Sequence, residues 1–357
     1  MEITKGKVNK AFWKNKKIFV TGHTGFKGSW LCLWLQSMGA FVKGYSLKPN
    51  TTPNLFTKAC VGEYMESELG DIRDLKKISK SMSDFNPDVL VHMAAQPLVR
   101  LSYEEPVDTY TTNVIGTVNV LEAARECRNL KAIVTVTTDK CYENKEWDWG
   151  YRETDPMGGY DPYSSSKGCV ELVTSAYRRS FFSGKDTASL ASVRAGNVIG
   201  GGDWSDDRLI PDILRAFEKL EPVVIRNPLS TRPWQHVLEP LSGYLVLAQE
   251  LFLNGDNFAE GWNFGPKDED CKPVSWILDQ MVSNWGNNAS WILDKKNNPH
   301  EAVFLKLDCS KAANRLKWNP KWNLQLTLKS IVDWHQLYRN GGDIKKQCLK
   351  EINTYTK

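Results

Sequence analysis

Short apolar runs alternate with amphipathic stretches along most of this chain. Lys17-Ile18-Phe19-Val20 opens the series, and Phe41 to Tyr45, Val89 to Met93, Ala132 to Thr137 and Ser189 to Val193 follow it. The first of these runs is continuously apolar from Ile18 to Val20, which marks a buried strand of a parallel sheet. Between them the pattern predicts helices. One is apolar from Ser29 to Met38, a polar one follows Asp74, and a long one runs from about Pro106 to Cys127. Others are headed by Tyr163, end near Leu220, and span Glu239 to Leu251. Strands alternating with helices predict an α/β fold, a doubly wound parallel sheet with helices on both faces. The remainder, rich in tryptophan at 262, 276, 285 and 291, predicts a smaller, mostly C-terminal α/β lobe. The division expected is 1–193 plus 229–258 for the sheet domain, and 194–228 plus 259–357 for the smaller lobe.

The first strand runs into Thr21-Gly22-His23-Thr24-Gly25-Phe26-Lys27-Gly28, ahead of the first helix. Strand, glycine turn and helix together aim unpaired N–H groups and a positive dipole end at an anion. Gly22 suits the tight turn, Gly25 the approach of a pyrophosphate, and Gly28 the close packing of helix on strand. The steps are G-x-x-G-x-x-G, not the G-x-G-x-x-G of ordinary dinucleotide folds. The second strand ends Tyr45-Ser46-Leu47-Lys48, without the carboxylate that takes ribose hydroxyls in NAD-binding folds, and Lys48 would suit a 2′-phosphate. The third apolar run leads into Ala94-Ala95-Gln96, small residues against which a nicotinamide ribose fits. His92, among apolar neighbours, is expected to be a packed core histidine.

Chemistry concentrates at the next strand end. Thr138-Asp139-Lys140 follows Ala132 to Thr137 at the carboxyl end of a central strand, where open α/β sheets place ligands. Tyr163 and Lys167 are four apart at the head of a helix and share a face. The ammonium is expected to lower the phenol pKa and ready Tyr163 as a base. Arg194, Arg208, Arg226 and Arg232 lie near element ends, and planar guanidinium forks suit a diphosphate.

Composition narrows the setting. A formal charge of +4, spread through the chain, gives no footprint for nucleic acid. Eight cysteines stand singly, with no zinc spacing and hence no expected metal, and read as reduced residues of a cytoplasmic protein. No apolar stretch is long enough for a signal peptide or a membrane span.

The glycine loop, Gly70-Asp71-Ile72-Arg73-Asp74, Asn113, Thr138 and Tyr163-x-x-x-Lys167 together resemble the extended short-chain dehydrogenase/reductases, which have Rossmann-type folds. Within them, His92 to Arg100, Gly158 to Tyr163, Arg194 to Trp204 and Arg232 to Pro240 are similar to the nucleotide-sugar 4,6-dehydratases. Asp-Lys after the threonine, where most relatives carry Asp-Glu, resembles the branch that acts on CDP-glucose in bacterial surface polysaccharide synthesis. The resemblance covers about Phe12 to Tyr338. It implies NAD as cofactor, held by Gly22, Thr24, Gly25, Phe26, Lys27, Gly28, Asp71, Ile72, Ala94, Ala95, Gln96, Asn113, Tyr163 and Lys167. It also implies Thr138, Asp139, Lys140, Tyr163 and Lys167 as catalytic residues, with Asp139 the acid and Lys140 the base. Asn197, Arg208, Arg232 and His236 would hold the substrate, and a homodimer or homotetramer is expected. A 4-epimerase would share the glycine loop and the Tyr/Lys pair but has no need of Asp139-Lys140. A non-catalytic NAD-binding regulator would usually lack the tyrosine or lysine.

Overall fold

The computed structural model describes residues 5–184, 186–286, 288–294 and 304–357. Seven parallel strands form the main sheet: β1 (Lys17–Thr21), β2 (Phe41–Ser46), β3 (Glu66–Leu69), β4 (Val89–His92), β5 (Ala132–Val136), β6 (Ser189–Ala195) and β7 (Gly261–Phe264). Their order is β7-β6-β5-β4-β1-β2-β3, with β1 between β2 and β4. All five apolar runs become inner strands. The edge strand β3 reads Glu-Ser-Glu-Leu and is largely solvent-facing, so it left no hydrophobic signal.

Helices α1 (Phe26–Ser37), α2 (Leu75–Phe85), α3 (Gly116–Arg125), α4 (Pro162–Phe181), α5 (Leu238–Asn254), α6 (Leu324–Arg339) and α7 (Ile344–Thr356) complete the frame. One face of the sheet buries α1, α5 and α7 in a single apolar core with Val20, Val91, Val134 and Val193. The opposite face buries α2 and α3 against Phe19, Leu90 and Ile133. Helix α1 is apolar around its circumference because both sides are covered. Tyr355 of α7 meets Trp34 edge-on, and Trp30 donates its indole N–H to the Gly201 carbonyl at 3.0 Å.

Two helix boundaries differ from expectation. Helix α1 begins at Phe26, not Ser29, because Gly25 already takes the extended N-cap conformation. The long helix from Pro106 is interrupted by a π-turn at Thr111–Ile115, which carries Asn113. Such widened turns are frequent at functional sites.

The lobe division at 259 also differs. Residues 261–264 pair with β6 as the seventh strand, and α7 packs on α1, so both belong with the main sheet. Hydrophobic runs report burial, not which layer does the burying. The smaller lobe keeps its own core of Ile210, Ile213, Phe217, Ile277, Met281, Leu328 and Ile331.

Gly28 sits where a Cβ would lie 2.1 Å from the Gly22 carbonyl oxygen and 2.8 Å from His23 Cα. Gly28→Ala is therefore expected to lower stability by about 1–3 kcal/mol, the range for overpacking, as read by urea unfolding.

Candidate active site

The glycine turn is shaped to receive an anion. Gly22 has φ +78°, and a Cβ there would strike the Ala94 backbone. A Cβ on Gly25 would meet only the Gly22 carbonyl, at 3.4 Å, which leaves open space over the first turn of α1. No side chain caps that turn, so its N–H groups are available to a pyrophosphate. The residues present thus fit a dinucleotide. Thr24 ties the turn to the end of β2 through Ser46 Oγ and the Leu47 carbonyl, both at 2.9 Å. Phe26 and the strand end Ala94-Ala95 are partly open beside it.

Several residues expected to touch a cofactor are bonded within the protein instead. Asn113 accepts from the Gln96 N–H at 2.8 Å and donates to the Gln96 carbonyl and Ser166 Oγ. Its amide shapes the chain after β4 and is not free to meet a ligand directly. The Gln96 side chain is taken up by Leu98 and Thr109. Asp71 grips Arg73, and Ile72 is buried against α3. His92 is the core histidine expected: its ring lies between Thr21 and Thr117, and burial lowers its pKa to about 3.

At the end of β5 the chain turns through Asp139–Cys141, and Thr138 caps the turn. Asp139 is buried; its Oδ1 accepts from Thr138 Oγ1 at 3.0 Å, and its Oδ2 has no hydrogen-bond partner. Burial raises the Asp139 pKa against the opposing charges of Lys140 and Arg232. Lys140 is half-buried, and its charge favours the ionised form of Asp139. Tyr163 and Lys167 face the same spot from α4. Lys167 Nζ donates to the Val136 carbonyl at 3.2 Å, and burial lowers its pKa to about 8.

The phenol corrects an expectation. Burial pushes the Tyr163 pKa up to about 12, although the Thr138 hydrogen bond and Arg208 favour the phenolate. Desolvation outweighs both, and Arg208, not Lys167, is the cation that favours the phenolate. Lys27 was expected only in the cofactor turn, yet its ammonium reaches the chemical centre. It donates to Tyr244 Oη at 3.2 Å, and burial, Lys167 and Arg208 lower its pKa to about 7. Tyr244 was missed because it lies inside the apolar run of α5, where its ring reads as packing.

The substrate candidates divide. Arg208 acts electrostatically on Lys27 and Tyr163 and pairs with Asp203 at 3.4 Å, and Arg232 acts on Asp139. Asn197 is partly open beside Gly196, which borders Asp139. His236 is fully buried between Trp30 and Trp322, with Nε2 3.5 Å from Glu351, so it packs the core and is out of a ligand's reach. Arg194 is likewise no diphosphate ligand, because its guanidinium is buried on Glu171 at 2.8 Å.

A family model described as GDP-mannose 4,6 dehydratase matches residues 19–331. The chain belongs to this dehydratase family. It is 60% identical over 352 residues to a CDP-glucose 4,6-dehydratase of Salmonella typhimurium, covering 98% of both chains. Its fold matches a UDP-glucose 4-epimerase of Thermotoga maritima with UDP-glucose, at TM-score 0.79 and 21% identity over 90% of this chain and 99% of that one. It also matches a dTDP-glucose 4,6-dehydratase of Bacillus anthracis in complex with NAD, at TM-score 0.74 and 21% identity over 92% and 98%. The fold is thus the Rossmann-type one expected.

For a member of this family, the buried Lys167 makes a pH prediction. Its ammonium, the form that would steady a phenolate at Tyr163, is lost as pH rises through about 8. The kcat/KM profile is expected to fall on its alkaline limb near pH 8, well below the ordinary lysine range. A limb near pH 10 would mean that Lys167 is better solvated than its burial implies.

Proposed function

We propose that the protein dehydrates CDP-glucose to CDP-4-keto-6-deoxyglucose with NAD, in the cytoplasm, for bacterial surface polysaccharide synthesis. One observation carries the reading: an acid and a lysine, Asp139 and Lys140, directly follow Thr138 and stand opposite Tyr163. High identity to a CDP-glucose 4,6-dehydratase over nearly the full chain supports the nucleotide and the reaction. Among the described residues no helix is long and apolar enough to cross a membrane.

In the proposed mechanism Tyr163, ionised beside the Lys167 ammonium, takes the proton from the hydroxyl on sugar carbon 4. Thr138 orients that oxygen. Gly22, Gly25 and the uncapped first turn of α1 would hold NAD, which when bound would supply a reversible hydride acceptor for the sugar. The 4-keto group acidifies the carbon-5 proton, which Lys140 removes and, once the carbon-6 hydroxyl has left, gives back to carbon 5 as hydride reaches carbon 6. Asp139 gives its proton to the departing carbon-6 hydroxyl. Burial supports this last role directly, because it favours the protonated acid. Arg208 and Arg232 balance the diphosphate charge across the crevice.

The same reading includes a homodimer. Val107 is 76% exposed and Leu172 63%, and Tyr103, Ile115 and Phe181 are also open on the helices flanking α4 and on α4 itself. An apolar face of this kind supports pairing with a second copy. Val107→Glu with Leu172→Glu is expected to halve the mass measured by light scattering.

The test of activity is incubation with CDP-glucose and NAD, followed by the alkali-induced absorbance of a 4-keto-6-deoxy sugar. CDP-glucose is expected to give product where UDP-, GDP- and dTDP-glucose do not. Lys140→Met should abolish solvent exchange at carbon 5 while leaving oxidation at carbon 4 measurable. Appearance of the carbon-4 epimer instead would favour a 4-epimerase.

A further inference from the structure

Glu171 lies one helical turn beyond Lys167 and two beyond Tyr163, so one face of α4 carries all three. They meet consecutive residues at the end of β5. Thr138 lies beside Tyr163 and favours its phenolate, Lys167 Nζ donates to the Val136 carbonyl at 3.2 Å, and Thr137 Oγ1 donates to Glu171 Oε1 at 2.5 Å. From β6, Arg194 donates to Glu171 through Nε and Nη2, both at 2.8 Å, and Ser192 Oγ donates at 2.6 Å. Arg194 Nη1 continues to Tyr142 Oη at 2.6 Å, and Tyr142 donates to Asn263 Oδ1 on β7 at 2.8 Å. The triplet Thr138-Asp139-Lys140 is therefore bracketed, with Thr137 held by Glu171 before it and Tyr142 held by Arg194 after it.

We propose that Glu171 and Arg194 are positioning residues that hold the Thr138–Lys140 turn in register with the Tyr163/Lys167 face of α4. This rests on the dehydratase reading above. Both side chains are about 5% exposed, and a buried ion pair is a weak source of stability compared with apolar packing. Its geometric value is greater, since one carboxylate and one guanidinium tie β5, β6, β7 and α4 together around the reacting groups. The pair also bears on charge. Lys167 faces Glu171, Cys141, His92, Tyr163 and Lys27, and Glu171 is the carboxylate among them that favours its ammonium. Burial opposes ionisation of Glu171 itself, but Arg194 and the hydroxyl donors hold its pKa below the ordinary value.

Two sets of variants test the proposal. Thr137→Val with Tyr142→Phe removes the bracketing bonds at nearly constant volume. It is expected to lower kcat about 10–100-fold with KM changed less than about threefold, as for reacting groups displaced by a fraction of an ångström to 1 Å. Glu171→Gln is expected to lower kcat similarly and to move the alkaline limb of the pH profile to lower pH. Glu171→Gln with Arg194→Met, which leaves no lone buried charge, should recover melting temperature without recovering kcat. Parental kcat and pH profile in any of these variants at near-parental melting temperature overturns the proposal. Amide hydrogen exchange at 137–142 in the ligand-free protein reads the bracket without substrate. Faster exchange in Thr137→Val/Tyr142→Phe supports it and unchanged exchange overturns it, whether or not the parent acts on CDP-glucose.

Discussion

Desolvation of charge at the carboxyl end of the sheet is the constraint on which the site depends. Lys27, Lys167, Asp139 and Tyr163 come from α1, α4 and the end of β5, and all converge on one small volume largely shielded from water. Each is driven toward its neutral form, because a low-dielectric environment penalises charge whatever its sign. An acid that keeps its proton, as Asp139 does here, is what departure of a hydroxyl requires. The same burial holds the phenol protonated, so the tyrosine needs the cation beside it and a hydroxyl to be deprotonated in front of it.

The two apolar layers make this burial possible. Tryptophans of α1, α6 and the loop before α6, with Tyr355 of α7, seal one face of the sheet, and α2 and α3 seal the other. What stays open is the crevice over the strand ends, where the glycine turn leaves helix N–H groups uncapped. Two polar clusters beneath that crevice are satisfied internally. Asn113 shapes the chain after β4, and the Glu171–Arg194 pair holds the chain after β5. The site is thus built in two shells, an outer one for ligands and an inner one that keeps the backbone in place.

Epimerase and dehydratase share this frame, as the structural likeness to both at about one-fifth identity illustrates. The difference between the two chemistries is local. In the proposed mechanism it lies in whether the turn after the threonine offers an acid and a base to carbons 5 and 6, and here that turn reads Asp139-Lys140.

The amino-acid sequence by itself determined the inner strands, the glycine turn, the helix carrying Tyr163 and Lys167, and the polar triplet after β5. These follow from local spacing and from apolar runs, which any register of the fold must bury. It did not determine β3 or β7 as members of the main sheet, since a polar edge strand and a late strand have no periodic signature of their own. Nor did it separate Arg208 and Arg232, which face the crevice, from Arg194 and His236, which are sealed beneath it. A guanidinium near a strand end reads the same whether it meets a ligand or a buried carboxylate. Only the packing of α4 against β5 and β6, which brings Glu171 to Arg194, decided that, because burial and pairing are set by residues distant in the chain.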